Sequence, residues 1–230
     1  MRMPFFIELS NKKILIIGGG REGAKRAEKY SKTGAKVIVY SRSFNQKILD
    51  LSSSGSVELV EGDVADEVKL EELIKSSDIL MVTLESDEYN ERILEMAKKY
   101  RVLVNLASDA ERTELVVPID SSIGPFRIAV TTEGKSSMVA REALHKIIDY
   151  LSGEEELMRL ADLMYNVKKI VKKSISDPTE RLNIYYEVFN NNDLRTALRT
   201  NDSLRLKEIL NKILGKHGLE FEEIREHEEA

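Results

Sequence analysis

Cysteine is missing from all 230 residues, which excludes a disulfide framework, a thiolate-bound metal and a cysteine nucleophile. Histidine is scarce. His145, His217 and His227 are widely dispersed, and without thiolates they form no recognisable metal cage, so no resident metal ligand is expected. Long apolar runs are lacking as well. The stretch over 14–20 is far too short to span a bilayer, and no signal-peptide pattern precedes it. The expectation is a soluble, cytoplasmic protein without a membrane partner. Nor is there an excess of positive charge: 35 basic against 40 acidic residues leave a net charge of −5, which argues against a broad footprint for nucleic acid.

What the chain does have is alternation. Its 42% hydrophobic content is enough for one full core and a smaller appendage. Ile14-Leu15-Ile16-Ile17 is a short continuous apolar run, as a parallel strand buried on both faces requires. Gly18-Gly19-Gly20 ends it, and 22–33 reads as a helix that stops at Gly34. Further strands are expected over 36–40, 56–60, 78–83 and 102–105, with helices over 68–76 and 90–100. Such alternation indicates βαβ units, and right-handed crossovers make a doubly wound parallel sheet, hence an α/β fold, the economical topology. After Asn105 the pattern changes. Strands are expected over 115–119 and 126–131, and nearly everything from Ser136 onward is helical. Asp177, Pro178 and Glu180 have the spacing of a helix start, a last helix covers 203–214, and an acidic tail runs from Gly218. Met158, Met164, Tyr165, Tyr185 and Tyr186 read as core of these helices.

Gly18-Gly19-Gly20-Arg21-Glu22-Gly23 satisfies G-x-G-x-x-G in the context that gives the pattern meaning, directly after a buried strand and at the opening of a helix. Gly18 permits the tight turn, Gly20 lets backbone approach a pyrophosphate, and Gly23 lets the helix pack against the strand. The first helical turn, with Arg21 and Glu22, offers its N–H groups and positive potential to an anion. The acid that often follows the second strand and bonds a ribose 2′-hydroxyl is absent. Tyr40-Ser41-Arg42-Ser43 stands there instead. Arg42 either accepts a 2′-phosphate or sits in solvent, so NADP is as defensible as NAD on these residues. The loop after the fourth strand, around Thr83, is expected to border the cofactor.

Further segments carry a resemblance. They are Pro4 to Leu9, the Ile17-Gly18-Gly19-Gly20 turn, Leu59-Val60-Glu61-Gly62, Val104-Asn105 and Val117-Pro118. Another is Ile128 to Ser137, running into Ala140-Arg141. Together they make the chain similar to the precorrin-2 dehydrogenase family, the module that also forms the N-terminal part of sirohaem synthases. The resemblance implies NAD-dependent oxidation of precorrin-2 to sirohydrochlorin, with insertion of ferrous iron in some members. It also implies a homodimer. In this chain the domains would be a Rossmann domain over 1–112, a dimerisation region over 113–148 and a helical domain over 149–230.

The family carries an aspartate three residues after the asparagine of the fifth strand, implicated in dehydrogenation and chelation. Here that place holds Ser108, and Asp109 lies one further on. Asp109 is the candidate proton acceptor with Ser108 beside it, or else it caps the following turn. The departure bears on chelation more than on hydride transfer. The substrate implied by the resemblance carries eight carboxylates, for which Arg112, Arg127, Lys135 and Arg141, with the hydroxyls of Thr132 and Ser136, are the candidate partners. A competing reading is a nucleotide-sensing regulatory module without tetrapyrrole chemistry. It accounts for the glycine loop but not for the basic, hydroxyl-rich stretch over 127–141.

Overall fold

A computed structural model describes residues 2–221; His227 and the end of the acidic tail lie outside the described residues. The chain forms two compact units. The first comprises Met1–Pro118 with Thr131–Ser136, and the second comprises Ile119–Val130 with the chain from Ser137 onward. Residues 113–148 are thus shared between the two units.

In the first unit, five parallel strands lie in the order β3-β2-β1-β4-β5. They are β1 (Lys13–Ile17), β2 (Lys36–Ser41), β3 (Glu58–Glu61), β4 (Ile79–Val82) and β5 (Leu103–Leu106). Helices α1 (Arg21–Ser31), α2 (Gln46–Ser53), α3 (Glu67–Lys75) and α4 (Asp87–Tyr100) connect them. The apolar run that announced β1 is buried for the expected reason. Ile14 and Ile16 join Val37, Val39, Ile79 and Met81 under α1 and α2, through Ala24, Ala27, Tyr30 and Ile48. Leu15 and Ile17 join Ile38, Leu80, Val82 and Val104 on the opposite face, against Leu70, Ile74, Ile93 and Ala97 of α3 and α4. All four residues from Ile14 to Ile17 are fully buried, each stabilising the fold by roughly 1.5–3 kcal/mol as an upper estimate. Chain order reverses at β1, which pairs with β2 on one side and β4 on the other. In open α/β sheets such a reversal is where ligands bind, beyond the carboxyl ends of the strands.

The second unit begins with a hairpin, β6 (Ile119–Ile123) and β7 (Phe126–Val130), paired antiparallel with Asp120 opposite Ala129. The strand expected over 115–119 is displaced toward the C-terminus. Glu114 and Leu115 both donate to the Val104 carbonyl instead, and Pro118 has no N–H to give a ladder, so pairing starts at Ile119. Five helices follow: α5 (Ser137–Ser152), α6 (Glu155–Ser174), α7 (Pro178–Phe189), α8 (Asn192–Arg199) and α9 (Ser203–Gly215). Leu160, Leu163, Val167 and Val171 of α6 pack with Ile184, Val188, Leu194, Leu210 and Leu214. Asp177 caps α7 as its spacing foretold, accepting from the N–H groups of Thr179 and Glu180. Tyr165 and Tyr186 do not join this core. They are 59% and 57% exposed, because the buried stripe of α6 runs through Leu163 and Val167, and that of α7 through Ile184 and Val188. Met164 and Tyr185 pack against the core, and Met158 is half-buried. His217 donates its backbone N–H to the Leu214 carbonyl at the end of α9, while its ring lies 3.3 Å from Glu180. Among the described residues no helix is long and apolar enough to cross a membrane.

Candidate functional site

The glycine loop sits at the carboxyl end of β1, and three of its positions have no room for a side chain. Gly18 adopts φ +112°, and a Cβ there would lie 2.4 Å from Thr83 Oγ1. A Cβ at Gly23 would lie 1.9 Å from the Gly18 carbonyl oxygen, and one at Gly19 2.1 Å from the Ser43 carbonyl oxygen. Gly20 is different, because a Cβ there would meet nothing within 4 Å. It is the N-cap of α1, with no side-chain cap on the helix end. Backbone packs tightly everywhere except at the one position where the helix start faces open space. The first N–H groups of α1 are therefore available to an anion. Arg21 is exposed there, and Glu22 is drawn away into an ion pair with Lys25 at 2.6 Å, which lowers its pKa.

Three neighbouring strand ends frame the loop. Thr83 follows β4 and borders the loop itself. Its hydroxyl donates to the Ile17 and Gly18 carbonyls at 3.0 and 3.4 Å, so it serves as a clamp on the turn. After β2, Asn45 donates its N–H to the Gly19 carbonyl at 2.8 Å, holding the Arg42-Ser43 segment against the loop. Arg42 is largely exposed and reaches Asp63, just past β3, at 3.5 Å. These are contacts that a linear reading did not reveal.

Beyond β5 the chain turns at Ala107, Ser108 and Asp109. Ser108 is exposed, and its Oγ lies 3.5 Å from the amide nitrogen of buried Asn90 on α4. The Asn90 Oδ1 atom is buried and has no donor among the described residues. Asp109 accepts backbone N–H bonds from Glu111 and Arg112 and a 2.6 Å bond from the Arg112 Nε. The Arg112 backbone N–H and guanidinium and the Glu111 N–H hold its carboxyl well below the usual range, at about 2. Asp109 therefore caps the turn and stays ionised at neutral pH. Arg112 is committed as well, with Glu91 at 3.0 Å and Asp87 at 3.1 Å completing three carboxylates around one guanidinium.

The other candidate residues divide between the units. Lys135, Thr132 and Ser136 lie in the first, where Thr132 Oγ1 accepts from the Ser136 N–H and donates to the Ser136 carbonyl, closing a turn. Arg127 on β7 and Arg141 on α5 belong to the second. Arg127, Lys135 and Arg141 are exposed and make no ion pair among the described residues. Sequence reading missed Arg2. Its guanidinium donates to the Ala110 and Thr113 carbonyls and pairs with Glu133 at 2.9 Å, tying the loop after β5 to the segment Thr131–Ser136. Nothing local in the sequence signals a contact spanning more than a hundred residues.

Comparison with known proteins agrees with this geometry. Residues 5–119 match the family model described as "Putative NAD(P)-binding". A protein of Methanocaldococcus jannaschii named "Putative precorrin-2 dehydrogenase" is 27% identical over 201 residues, covering 86% of this chain and 94% of that protein. "Siroheme synthase 2" of Yersinia enterocolitica is 27% identical over 207 residues, which is 89% of this chain. The chain spans only 42% of that synthase's length. Among solved structures, SirC, a precorrin-2 dehydrogenase, superposes with a TM-score of 0.65 at 18% identity, covering 93% of this chain and 100% of that one. At that identity the likeness shows a shared fold.

Proposed function

Given that the chain belongs to the NAD(P)-binding family whose model spans residues 5–119, we propose that it is a nicotinamide-dependent dehydrogenase that oxidises precorrin-2 to sirohydrochlorin in siroheme biosynthesis. The observation that carries this reading is the glycine cradle, closed to side chains at Gly18, Gly19 and Gly23 and open at Gly20. A dinucleotide pyrophosphate fits that arrangement. The relatives extend the reading past the nucleotide domain, because the alignment with the Methanocaldococcus dehydrogenase covers 86% of the chain. A nucleotide sensor without tetrapyrrole chemistry leaves that match unexplained.

The cofactor is NAD. When bound, its oxidised nicotinamide supplies the hydride acceptor. The protein's own residues bind and orient. Backbone N–H groups of Gly20, Arg21, Glu22 and Gly23 hold the pyrophosphate, Thr83 keeps the turn rigid, and the buried Asn90 Oδ1 offers an acceptor near Ser108. Asp109 acts as a fixed anion that orders the loop, since a carboxyl at about 2 is a weak proton acceptor at neutral pH. Lys135, with Thr132 and Ser136 at the turn beside it, is the candidate partner for substrate carboxylates in the first unit, and Arg127 and Arg141 are separate candidates in the second. Arg112 contributes through Asp109 and α4. The molecule works as a homodimer through residues 113–148. Ferrous iron, as a second substrate, is inserted weakly, because Ser108 stands where the resemblance places a carboxylate. The test is anaerobic incubation of the purified chain with precorrin-2 and NAD or NADP, following reduced nicotinamide by absorbance. Turnover with NAD supports the proposal, and no turnover with either nucleotide removes it.

A further inference from the structure

The end of β2 lacks the acid that ordinarily recognises an unphosphorylated ribose, yet a carboxylate is present at that place. We infer that Asp63, delivered from the end of β3, is the specificity-determining residue that accepts the ribose 2′-hydroxyl and sets the preference for NAD over NADP. The inference rests on the dinucleotide reading above.

The geometry is built by several independent contacts. Gly62 donates its N–H to the Ser41 carbonyl at 3.1 Å, so β3 and β2 leave the sheet side by side. A Cβ at Gly62 would lie 2.5 Å from the Tyr40 ring, so only glycine lets the chain pass so close to it. Tyr40 is fully buried, and its hydroxyl donates to the Asp63 carbonyl at 2.6 Å. The Asp63 carboxylate is fixed in turn, because Oδ1 accepts the Ala65 N–H at 2.9 Å. Oδ2 is left toward Arg42, 3.5 Å from Nη1.

Arg42 belongs to the segment that rests on the glycine loop, where Asn45 bonds Gly19 and a Gly19 Cβ would meet the Ser43 carbonyl. Asp63 thus reaches the position beside the second strand that a ribose recognition acid occupies in this kind of sheet. An anchored carboxylate accepts a hydrogen bond from a hydroxyl well and repels a 2′-phosphate. Arg42, the one feature that pointed to NADP, lies within ion-pairing distance of the same carboxylate, at 3.5 Å. Both effects act in one direction.

The experiment is calorimetric titration of NAD and NADP into the wild-type chain, Asp63→Asn, and Asp63→Asn combined with Arg42→Gln. Asparagine keeps the acceptor for the Ala65 N–H, so the turn is retained. The wild type is expected to bind NAD more tightly. Asp63→Asn should shift the ratio toward NADP by about tenfold or more, and the added Arg42→Gln should remove the gained NADP affinity. A ratio unchanged by Asp63→Asn, or a wild type that prefers NADP, overturns the inference while leaving the dinucleotide site intact. If the wild type binds neither nucleotide, the dinucleotide reading and this inference fall together.

Discussion

Replacing Gly20 and Gly23 separately should split folding from binding. At Gly23 the new methyl would sit 1.9 Å from the Gly18 carbonyl oxygen, whereas even a close carbon–oxygen contact needs about 3.3 Å. Neither atom is at the end of a flexible side chain, so α1 must retreat from β1 by more than about 1 Å. Ala24 and Ala27, both buried against that sheet face, then lose their packing. Gly23→Ala should cost about 1–3 kcal/mol, the usual range for overpacking. At Gly20 the methyl meets nothing within 4 Å, and φ −78° with ψ −162° suits any residue. Loss of glycine as N-cap costs less than about 1 kcal/mol. The same methyl intrudes where an anion must approach the helix start, so nucleotide affinity should fall about tenfold or more. Urea denaturation measures the first effect and calorimetric titration with NAD the second. A Gly23→Ala chain as stable as the wild type, or a Gly20→Ala chain that binds NAD unchanged, would refute these roles.

Two further consequences concern the loop after β5. Asp109 ionises near 2 in the folded chain instead of 3.8, so its contribution to stability is fully present above about pH 4 and fades as pH falls toward about 2. Asp109→Asn should therefore lower urea stability at neutral pH, with the gap from wild type closing in acid; a gap that persists there contradicts the assigned cause. Arg2→Ala removes the bonds to the Ala110 and Thr113 carbonyls and should cost about 1–2 kcal/mol. Faster amide exchange across 108–113 should accompany the loss, whereas Arg2→Lys, lacking the planar fork, should restore only part of it.

Much of the first unit was legible because its signals are local. The run from Ile14 to Ile17 and the glycines after it each declare an element within a few residues, as the Asp177 cap does in the second unit. The short helices were hidden. The α2 helix buries only Ile48, and the start of α8 is not placed until Asn191 is seen accepting the Leu194 N–H. The site's framework was legible and its partners were not. Arg112 looked free because Asp87 and Glu91 lie on the preceding helix. Asp63 looked irrelevant because β3 returns beside β2, and no spacing rule brings residue 63 to residue 42.

The central claim is that a dinucleotide crosses the amino end of α1. Soaking crystals with NAD tests it most directly. Pyrophosphate density is expected over Gly20, with the adenosine ribose toward Asp63 and the nicotinamide toward Ser108. Density for NAD elsewhere, with the Gly20 face closed by neighbouring side chains, would contradict it.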